Sequence, residues 1–262
     1  MPLRAVIITQ EDCLYLPQFI DSVLRQRRQN VVGMTILPAL MPKQTWMTTA
    51  RDHLALYGPT QFLRQSARYG TRKVLAALGR RVPLPDFYSV AAVAEHHGVP
   101  LLETASVNSA EYLDRLRGLN LDLVISINAS QKFKTGILSL PRLGCINVHG
   151  ALLPRYRGRL PSFWVLANGE KETGTTVHFM NEDLDDGPIL LQERVPITPD
   201  DTQDSLIRKT KAVGARLIVD AIDRLETGSV ATLPNDRSQA TYFSFPTRAD
   251  GARLRQQGRR FL

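Results

Sequence analysis

The chain has 262 residues, of which 43% are hydrophobic, enough for one large domain with a substantial core. It contains two cysteines without metal-ligand spacing, which argues against a disulfide framework or a zinc site and favours a reducing, cytoplasmic location. The formal net charge of +8 indicates an anionic partner, such as a phosphate-bearing ligand, a nucleic acid or an anionic membrane, without choosing among them.

The first 37 residues predict the start of a parallel α/β sheet. An apolar run at residues 5–9 is too short for a signal peptide and indicates a buried strand; residues 16–27 have an amphipathic helical pattern, and residues 31–37 are again apolar. Strand, helix and strand in this order are typical of an α/β fold. The turn at residues 10–12 lacks the glycines that bring backbone amides to a phosphate in a Rossmann-type loop. We therefore disfavour a phosphate site at this turn.

Residues 42–82 form a helical, strongly basic stretch. Apolar residues recur at loosely helical spacing, with a break at Gly58-Pro59. One acidic residue, Asp52, accompanies these basic residues: Lys43, Arg51, Arg64, Arg68, Arg72, Lys73, Arg80 and Arg81. Two interpretations stay open: a solvated hairpin that covers a sheet edge, or a surface for an anionic or membrane-associated acceptor. If the second holds, the four basic residues from Arg64 to Lys73 face that partner, because Arg64, Arg68 and Arg72 follow at four-residue intervals.

The α/β pattern resumes after this stretch. Residues 89–97 and 109–116 predict helices, and residues 121–127 predict a central strand that leads into residues 128–133. Ligands in open α/β sheets gather beyond the carboxyl ends of the strands. The segment that follows this strand therefore lies at the edge of the sheet where a ligand would bind. The alternative is an ordinary loop whose Phe133 lies in the core.

The segment from Gly144 to Leu190 carries the candidate chemistry. Asn147 and His149 lie two residues apart on a short apolar run, so in a strand both side chains point to one side. The later Leu-Asp-Asp-Gly turn offers Asp185, a carboxylate that could orient an imidazole or stabilise its cation. Amide, imidazole and carboxylate can together transfer a proton and stabilise an oxyanion. The alternative is that these polar residues merely end a strand.

The wider string resembles the formyltransferases that use 10-formyltetrahydrofolate. The resemblance rests on Asn-Val-His-Gly-Ala-Leu-Leu-Pro-Arg-Tyr-Arg-Gly at residues 147–158, Thr-Gly-Thr-Thr-Val-His at 173–178 and the Leu-Asp-Asp-Gly turn at 184–187. It extends from about residue 122 to residue 196. It implies a Rossmann-like α/β fold with a mostly parallel sheet, a helical basic insertion at about 42–82 and a short C-terminal extension. We expect a catalytic domain at residues 1–200 and a C-terminal helix with a basic extension at 201–262.

The resemblance also implies roles for individual residues. The catalytic trio is Asn147 as oxyanion donor, His149 as general base and Asp185 as the group that orients it; Asp186 is the less favoured acid. Residues expected to bind 10-formyltetrahydrofolate are Ser130, Gln131, Lys132 and Phe133, largely through backbone groups. Residues expected near the acceptor are Arg157, Thr176 and His178. The family mechanism needs neither a metal nor a covalent intermediate, so Cys145 is not expected to be a nucleophile.

The acceptor amine is the open part of the prediction. Residues 150–166 are especially similar to enzymes that N-formylate nucleotide-linked amino sugars, and we favour such a small-amine acceptor. The first turn lacks the glycines that hold the phosphate of glycinamide ribonucleotide in a related enzyme. The chain after Leu225 is too short for the additional barrel of methionyl-tRNA formyltransferases, so nucleic acid is a disfavoured partner. A tRNA-directed enzyme, a 10-formyltetrahydrofolate hydrolase and an inactive binding module are the alternatives, and a homodimer is one of the oligomeric states left open.

Overall fold

A computed structural model describes residues 2–39 and 44–262 of the chain. Its strands are β1 (Ala5–Gln10), β2 (Val31–Leu37), β3 (Leu123–Ile127), β4 (Cys145–His149), β5 (Arg157–Gly158), β6 (Glu172–Phe179), β7 (Ile189–Pro196) and β8 (Tyr242–Phe243). Its α-helices are α1 (Leu16–Arg27), α2 (Trp46–Tyr57), α3 (Pro59–Leu78), α4 (Val90–His96), α5 (Ala110–Arg117), α6 (Thr135–Leu138), α7 (Pro161–Ala167), α8 (Gln203–Glu226) and α9 (Arg248–Gln256). None of these helices is long and apolar enough to cross a membrane.

A six-stranded sheet forms the centre of the molecule, in the order β2-β1-β3-β4-β6-β7. The first four of these strands are parallel, and β6 and β7 continue the sheet antiparallel. Side chains of β1 alternate between two cores: Ile7 packs with α1, α4 and α8, whereas Ile8 packs with the core that includes α5 and α6. The predicted α/β class with a mostly parallel sheet is confirmed.

The C-terminal segment packs on the rest of the chain. Strand β8 pairs with β5, and α9 packs against α2 and α7 around a third core that contains Leu56, Phe163 and Phe261. The carbonyl oxygens of Arg260 and Phe261 accept hydrogen bonds from the first backbone amides of α8. Helix α8 itself packs on α1 and β6 in the main core. The boundary at residue 200 stays a prediction, although the helix beyond it shares that core.

The basic insertion is a helical hairpin of α2 and α3. Thr45 caps α2 with its side chain, and Pro59 begins α3, where its missing N–H has no helical partner to lose. Helix α3 contains no buried residue over its 20 residues. Lys43, which the sequence places in this stretch, lies outside the described residues.

The orientation predicted for the arginines of α3 is wrong for two of them. The guanidinium of Arg68 lies 2.6 Å from Asp204 Oδ1 on α8, and that of Arg72 lies over the ring of Tyr88. Both point towards the body of the protein, whereas Arg64 is exposed. Each four-residue step exceeds a full helical turn by about 40°, so Arg64 and Arg72 differ by about 80° in direction. Four-residue spacing alone therefore did not define one outward face.

Candidate active site

Strands β4 and β6 bring the amide of Asn147 and the imidazole of His178 together near the carboxyl end of β4. Asn147 and His178 are directly opposite in the antiparallel pair, and Asn147 Nδ2 lies 3.2 Å from His178 Nε2. His178 Nδ1 is 2.7 Å from the carbonyl oxygen of Phe179, to which it donates its hydrogen. His178 Nε2 is then the acceptor for the Asn147 amide. One of the two N–H groups of that amide is engaged, and the other is left for a different acceptor.

The buried imidazole of His149 is held by the loop that follows β4. Its Nε2–H donates to the carbonyl oxygen of Tyr156 at 2.7 Å. Its other ring nitrogen, Nδ1, faces Asp185 Oδ2 at 3.6 Å. Because Nε2 is occupied by a carbonyl acceptor, Nδ1 is the atom of His149 that can gain or lose a proton.

Asp185 is a buried carboxylate between two imidazoles. Its Oδ2 accepts a hydrogen bond from the Gly158 amide at 2.9 Å, and its Oδ1 lies 3.7 Å from His178 Nε2. Burial raises the pKa of this carboxyl, but the charge of His149, the contacts of His178 and the Gly158 amide outweigh it and hold the pKa well below its ordinary value. Asp185 is therefore ionised, and its negative charge is available to stabilise a protonated imidazole.

Asp186 makes a different set of contacts. It forms a buried ion pair with Arg157 and a second ion pair with Arg237, and Asn181 donates to it at 3.1 Å. Burial raises its pKa, but the hydrogen bonds from Arg237, Asn181 and Arg157 dominate and lower it to about 2. The next residue, Gly187, is required by close packing, since a Cβ there would lie 2.0 Å from the carbonyl oxygen of Phe179. Asp186 and Gly187 thus anchor the turn that presents Asp185.

A cleft of about 470 Å³ opens beside this cluster. Its lining residues are Ser126, Ala129, Gln131, Lys132, Phe133, Asn147, His178, Met180, Asn181, Glu182, Asp183, Leu184 and Asp185. The wall formed by residues 181–184 was not anticipated from the sequence. The sequence did carry one indication of this wall, because residues 181–184 immediately precede Asp185 in the same loop. The cleft joins the carboxyl end of β3 to the Asp185 turn, as expected for a ligand site in an open α/β sheet.

Three of the four residues expected to bind the folate line the cleft. Gln131 is fixed between the backbone of Val107 and Ala105, at 3.0 and 2.9 Å. Phe133 is buried, and its ring also belongs to the core, as in the alternative interpretation. Ser130 does not line the cleft; its hydroxyl donates to the carbonyl oxygen of Pro38 at 2.9 Å and holds the loop.

Of the three residues expected near the acceptor, one lines the cleft and two do not. His178 is part of the cluster. The guanidinium of Arg157 is engaged with Asp186 and Asn235 and does not line the cleft. Thr176 is fully buried, where its hydroxyl donates to the carbonyl oxygen of Ala151 at 2.6 Å. The substrate-binding roles of Arg157 and Thr176 stay predictions, since their polar atoms are occupied by the protein itself.

Two further groups restrict the chemistry of the site. Burial raises the pKa of the Cys145 thiol to about 12, so it is not poised as a thiolate nucleophile.

In the turn after β1, the carboxylate of Glu11 accepts a hydrogen bond from the Val90 amide at 3.0 Å, and the carboxylate of Asp12 accepts one from the Tyr15 amide at 3.0 Å. This turn therefore carries two carboxylates where a Rossmann-type loop offers backbone amides to a phosphate. Among residues 2–39 and 44–262, no group of three or more His, Cys, Asp or Glu side chains could hold a metal ion.

Comparison with known proteins identifies the family. Residues 76–222, more than half of the chain, match the family described as formyl transferase. The chain belongs to this family, as the strand-end motif predicted. The methionyl-tRNA formyltransferase of Kosmotoga olearia is 39% identical over 169 residues, which cover 64% of this chain and 53% of that protein. The chain thus spans about half the length of the curated relatives it matches.

Solved structures share the fold at low sequence identity. An N-formyltransferase from Helicobacter canadensis, solved with folinic acid and dTDP-3-aminofucose, aligns with a TM-score of 0.59 and 16% identity over 92% of this chain and 71% of that chain. Glycinamide ribonucleotide transformylase 1 from Symbiobacterium toebii aligns with a TM-score of 0.61 and 19% identity over 89% and 92%. Both confirm the Rossmann-like formyltransferase fold.

Proposed function

We propose that this protein transfers a formyl group from 10-formyltetrahydrofolate to a primary amine. The observation that carries the proposal is the ionised Asp185 between the imidazoles of His149 and His178. Asp185, His178 and the Asn147 amide line the cleft, whereas His149 is buried and contacts the cluster through Asp185. Membership of the formyl transferase family supports the same chemistry. The folate supplies the formyl group, and the protein supplies the amide, the proton acceptor and the carboxylate.

His149 takes the proton from the attacking amine in this mechanism. Its Nε2–H stays on the Tyr156 carbonyl, so the proton is accepted at Nδ1. The resulting imidazolium is stabilised by Asp185 at 3.6 Å, and the same nitrogen then returns a proton towards the departing amine of the folate. No covalent bond between protein and formyl group is needed.

Asn147 stabilises the negative charge that develops on the formyl oxygen. One of its amide N–H groups donates to His178, and the second N–H is available to that oxygen. His178 acts as a positioning residue, because its Nδ1–H is fixed on the Phe179 carbonyl and its Nε2 orients the Asn147 amide. Asp185 approaches both imidazoles and so connects the two halves of the cluster.

The cleft suits a flat, partly apolar ligand such as the folate ring system. Phe133, Met180 and Leu184 provide apolar surface, and Lys132 provides a positive charge for an acidic tail. Gln131 is fixed by two backbone hydrogen bonds, which makes its loop a stable wall. We assign Gln131, Lys132 and Phe133 to direct contact and Ser130 to support of the loop.

The acceptor we favour is the amine of a nucleotide-linked amino sugar. The Helicobacter canadensis relative, solved with dTDP-3-aminofucose, supports this class. The carboxylates of Glu11 and Asp12 in the first turn disfavour the phosphate of glycinamide ribonucleotide. A methionyl-tRNA acceptor is the second candidate, because the relative from Kosmotoga olearia is 39% identical.

An acceptor screen tests the function. The full chain is incubated with 10-formyltetrahydrofolate and either nucleotide-linked amino sugars, initiator methionyl-tRNA, glycinamide ribonucleotide or no acceptor, and release of tetrahydrofolate is followed. We expect release only with an amino sugar, and mass spectrometry should detect the formylated product. Asp185→Asn should abolish release, whereas Asp114→Asn, at an exposed carboxylate, should not. Release without acceptor indicates a hydrolase; release with the tRNA or ribonucleotide alone overturns the amino-sugar assignment.

A further inference from the structure

The helical hairpin and the residues that follow it expose an unusual number of large apolar side chains to water. Twelve large apolar side chains are strongly exposed in the described part of the chain, and seven of them lie between residues 46 and 82. They are Trp46, Met47, Leu54, Leu63, Val74, Leu78 and Val82. Met47 is 84% exposed, Leu63 70% and Val74 67%. We call these seven residues the exposed apolar set.

Helix α3 carries part of this set as a continuous stripe. Leu63, Val74 and Leu78 are separated by close to whole numbers of turns, and Ala67 and Gly70 lie between them on the same side. The opposite side, which includes Arg68, rests on the body of the protein. The inner side therefore provides contacts that hold α3, whereas Leu63, Val74 and Leu78 belong to none of the buried cores.

Positive charge surrounds the stripe. Residues 44–85 contain seven arginines and lysines and one acidic residue, a surplus of six in a chain whose net charge is +8. Arg68 and Arg72 face inward, whereas Arg51, Arg64, Lys73, Arg80 and Arg81 are exposed. Arg64 and Lys73 fall on opposite flanks of the stripe, at about 100° and about 280° around the helix from Leu63. The side of α3 that bears the stripe, which we call its outer face, thus combines aliphatic side chains with a basic border.

We propose that the outer face of α3 binds the surface of an anionic phospholipid bilayer. Aliphatic side chains of the stripe enter the boundary between headgroups and acyl chains, and the basic border attracts anionic headgroups. A second copy of the chain fits less well, because a two-fold contact through this face brings two positive surfaces together. A nucleic acid could bind the arginines through its phosphates, but this contact would leave the apolar side chains of Leu63, Val74 and Leu78 exposed to water. The inference is independent of the acceptor.

Vesicle binding tests the inference with the full chain. Cosedimentation is measured with phosphatidylcholine vesicles and with vesicles that also contain phosphatidylglycerol. We expect binding to the anionic vesicles and at least about tenfold weaker binding to the neutral ones. Added salt should weaken the binding without abolishing it, because the apolar contribution is not screened.

Two triple variants separate the apolar and basic contributions. Leu63→Gln, Val74→Gln and Leu78→Gln remove the stripe; Arg64→Gln, Lys73→Gln and Arg80→Gln remove part of the border. Each triple should weaken binding to anionic vesicles by at least about tenfold while leaving the thermal midpoint nearly unchanged, since none of these residues is buried. The apolar control is Leu101→Gln, Val230→Gln and Leu233→Gln, and the charge control is Arg25→Gln, Arg117→Gln and Arg194→Gln, all at exposed positions elsewhere. Both controls should bind like the unmodified chain.

Several outcomes overturn the inference. Absence of binding to anionic vesicles at low salt excludes it, as does an equal loss in the control triples. Self-association that disappears in the apolar triple assigns the face to a second copy. Binding of tRNA, combined with vesicle binding that is insensitive to the apolar triple, assigns it to nucleic acid.

Discussion

The strand-end site and the helical hairpin use similar residue types in opposite environments. At the site, Asp185, Asp186 and Arg157 are buried, and each has fixed partners on other segments. On the hairpin, Arg64 and Lys73 are exposed beside apolar side chains that contribute nothing to a core. Removal of one member of a buried ion pair lowers the stability of the fold strongly. An exposed charge contributes little to stability, and its main effect is on the binding of a partner.

The largest expected effect on stability concerns the buried charge at Arg157. Arg157→Ala removes the buried partner of Asp186 and leaves it with Arg237 and Asn181, so we expect the free energy of unfolding to fall by about 3 kcal/mol, the lower end of the range for a broken buried ion pair. Urea unfolding measures this loss. The matched control is Arg155→Ala, two residues away, whose ion pair with Glu170 is more exposed and contributes about 1 kcal/mol or less. Equal effects at the two positions would mean that the Arg157–Asp186 pair does not anchor the turn.

Next in size is the loss of activity at the strand-end residues. Asn147→Ala and His149→Ala should each lower turnover by about 100- to 1000-fold, because one removes the oxyanion donor and the other the proton acceptor. Turnover is measured at saturating folate and acceptor, with circular dichroism to verify folding. His96→Ala, at an exposed imidazole, serves as the control and should retain activity. Near-normal turnover in either of the first two variants contradicts the assignment.

The pH dependence of stability gives a smaller effect. The pKa of Asp186 is lowered from 3.8 to about 2 in the folded protein, so its contribution is complete above the unfolded value and is lost as pH falls through the folded value. We expect about 2 kcal/mol of stability to disappear between pH 5 and pH 2 through this residue. Urea unfolding at both pH values measures it, with Asp186→Asn as the comparison. The same pH dependence in that variant would show that other carboxylates are responsible.

The smallest effect distinguishes the two sides of α3. Arg68→Gln removes a half-buried ion pair with Asp204 and a contact over the Tyr15 ring, and should cost about 1 kcal/mol. Arg64→Gln, at the exposed side, should change stability by less than about 0.5 kcal/mol. Thermal and urea unfolding of the two variants are compared directly. A larger loss at Arg64 than at Arg68 would reverse the inner and outer faces described for this helix.

Local patterns in the sequence were sufficient for the main architecture. Apolar runs and helical periodicity predicted β1, α1, β2 and the hairpin, because these signals depend on neighbours within a few residues. The spacing of Asn147 and His149 predicted that both belong to one strand end, and the Leu-Asp-Asp-Gly turn predicted a nearby carboxylate.

Tertiary structure decided which partners these residues meet. His178 is 31 residues from Asn147, and only the antiparallel pairing of β4 with β6 brings the two side chains together. Asp185 and Asp186 are neighbours in sequence, yet one faces two imidazoles and the other faces arginines, because the surrounding segments differ. Similarly, Arg68 faces inward since α8 presents Asp204 to it. The hydrophobic periodicity of a sequence indicates which side of a helix or strand a residue occupies. Burial and ion pairing depend in addition on segments that are distant along the chain.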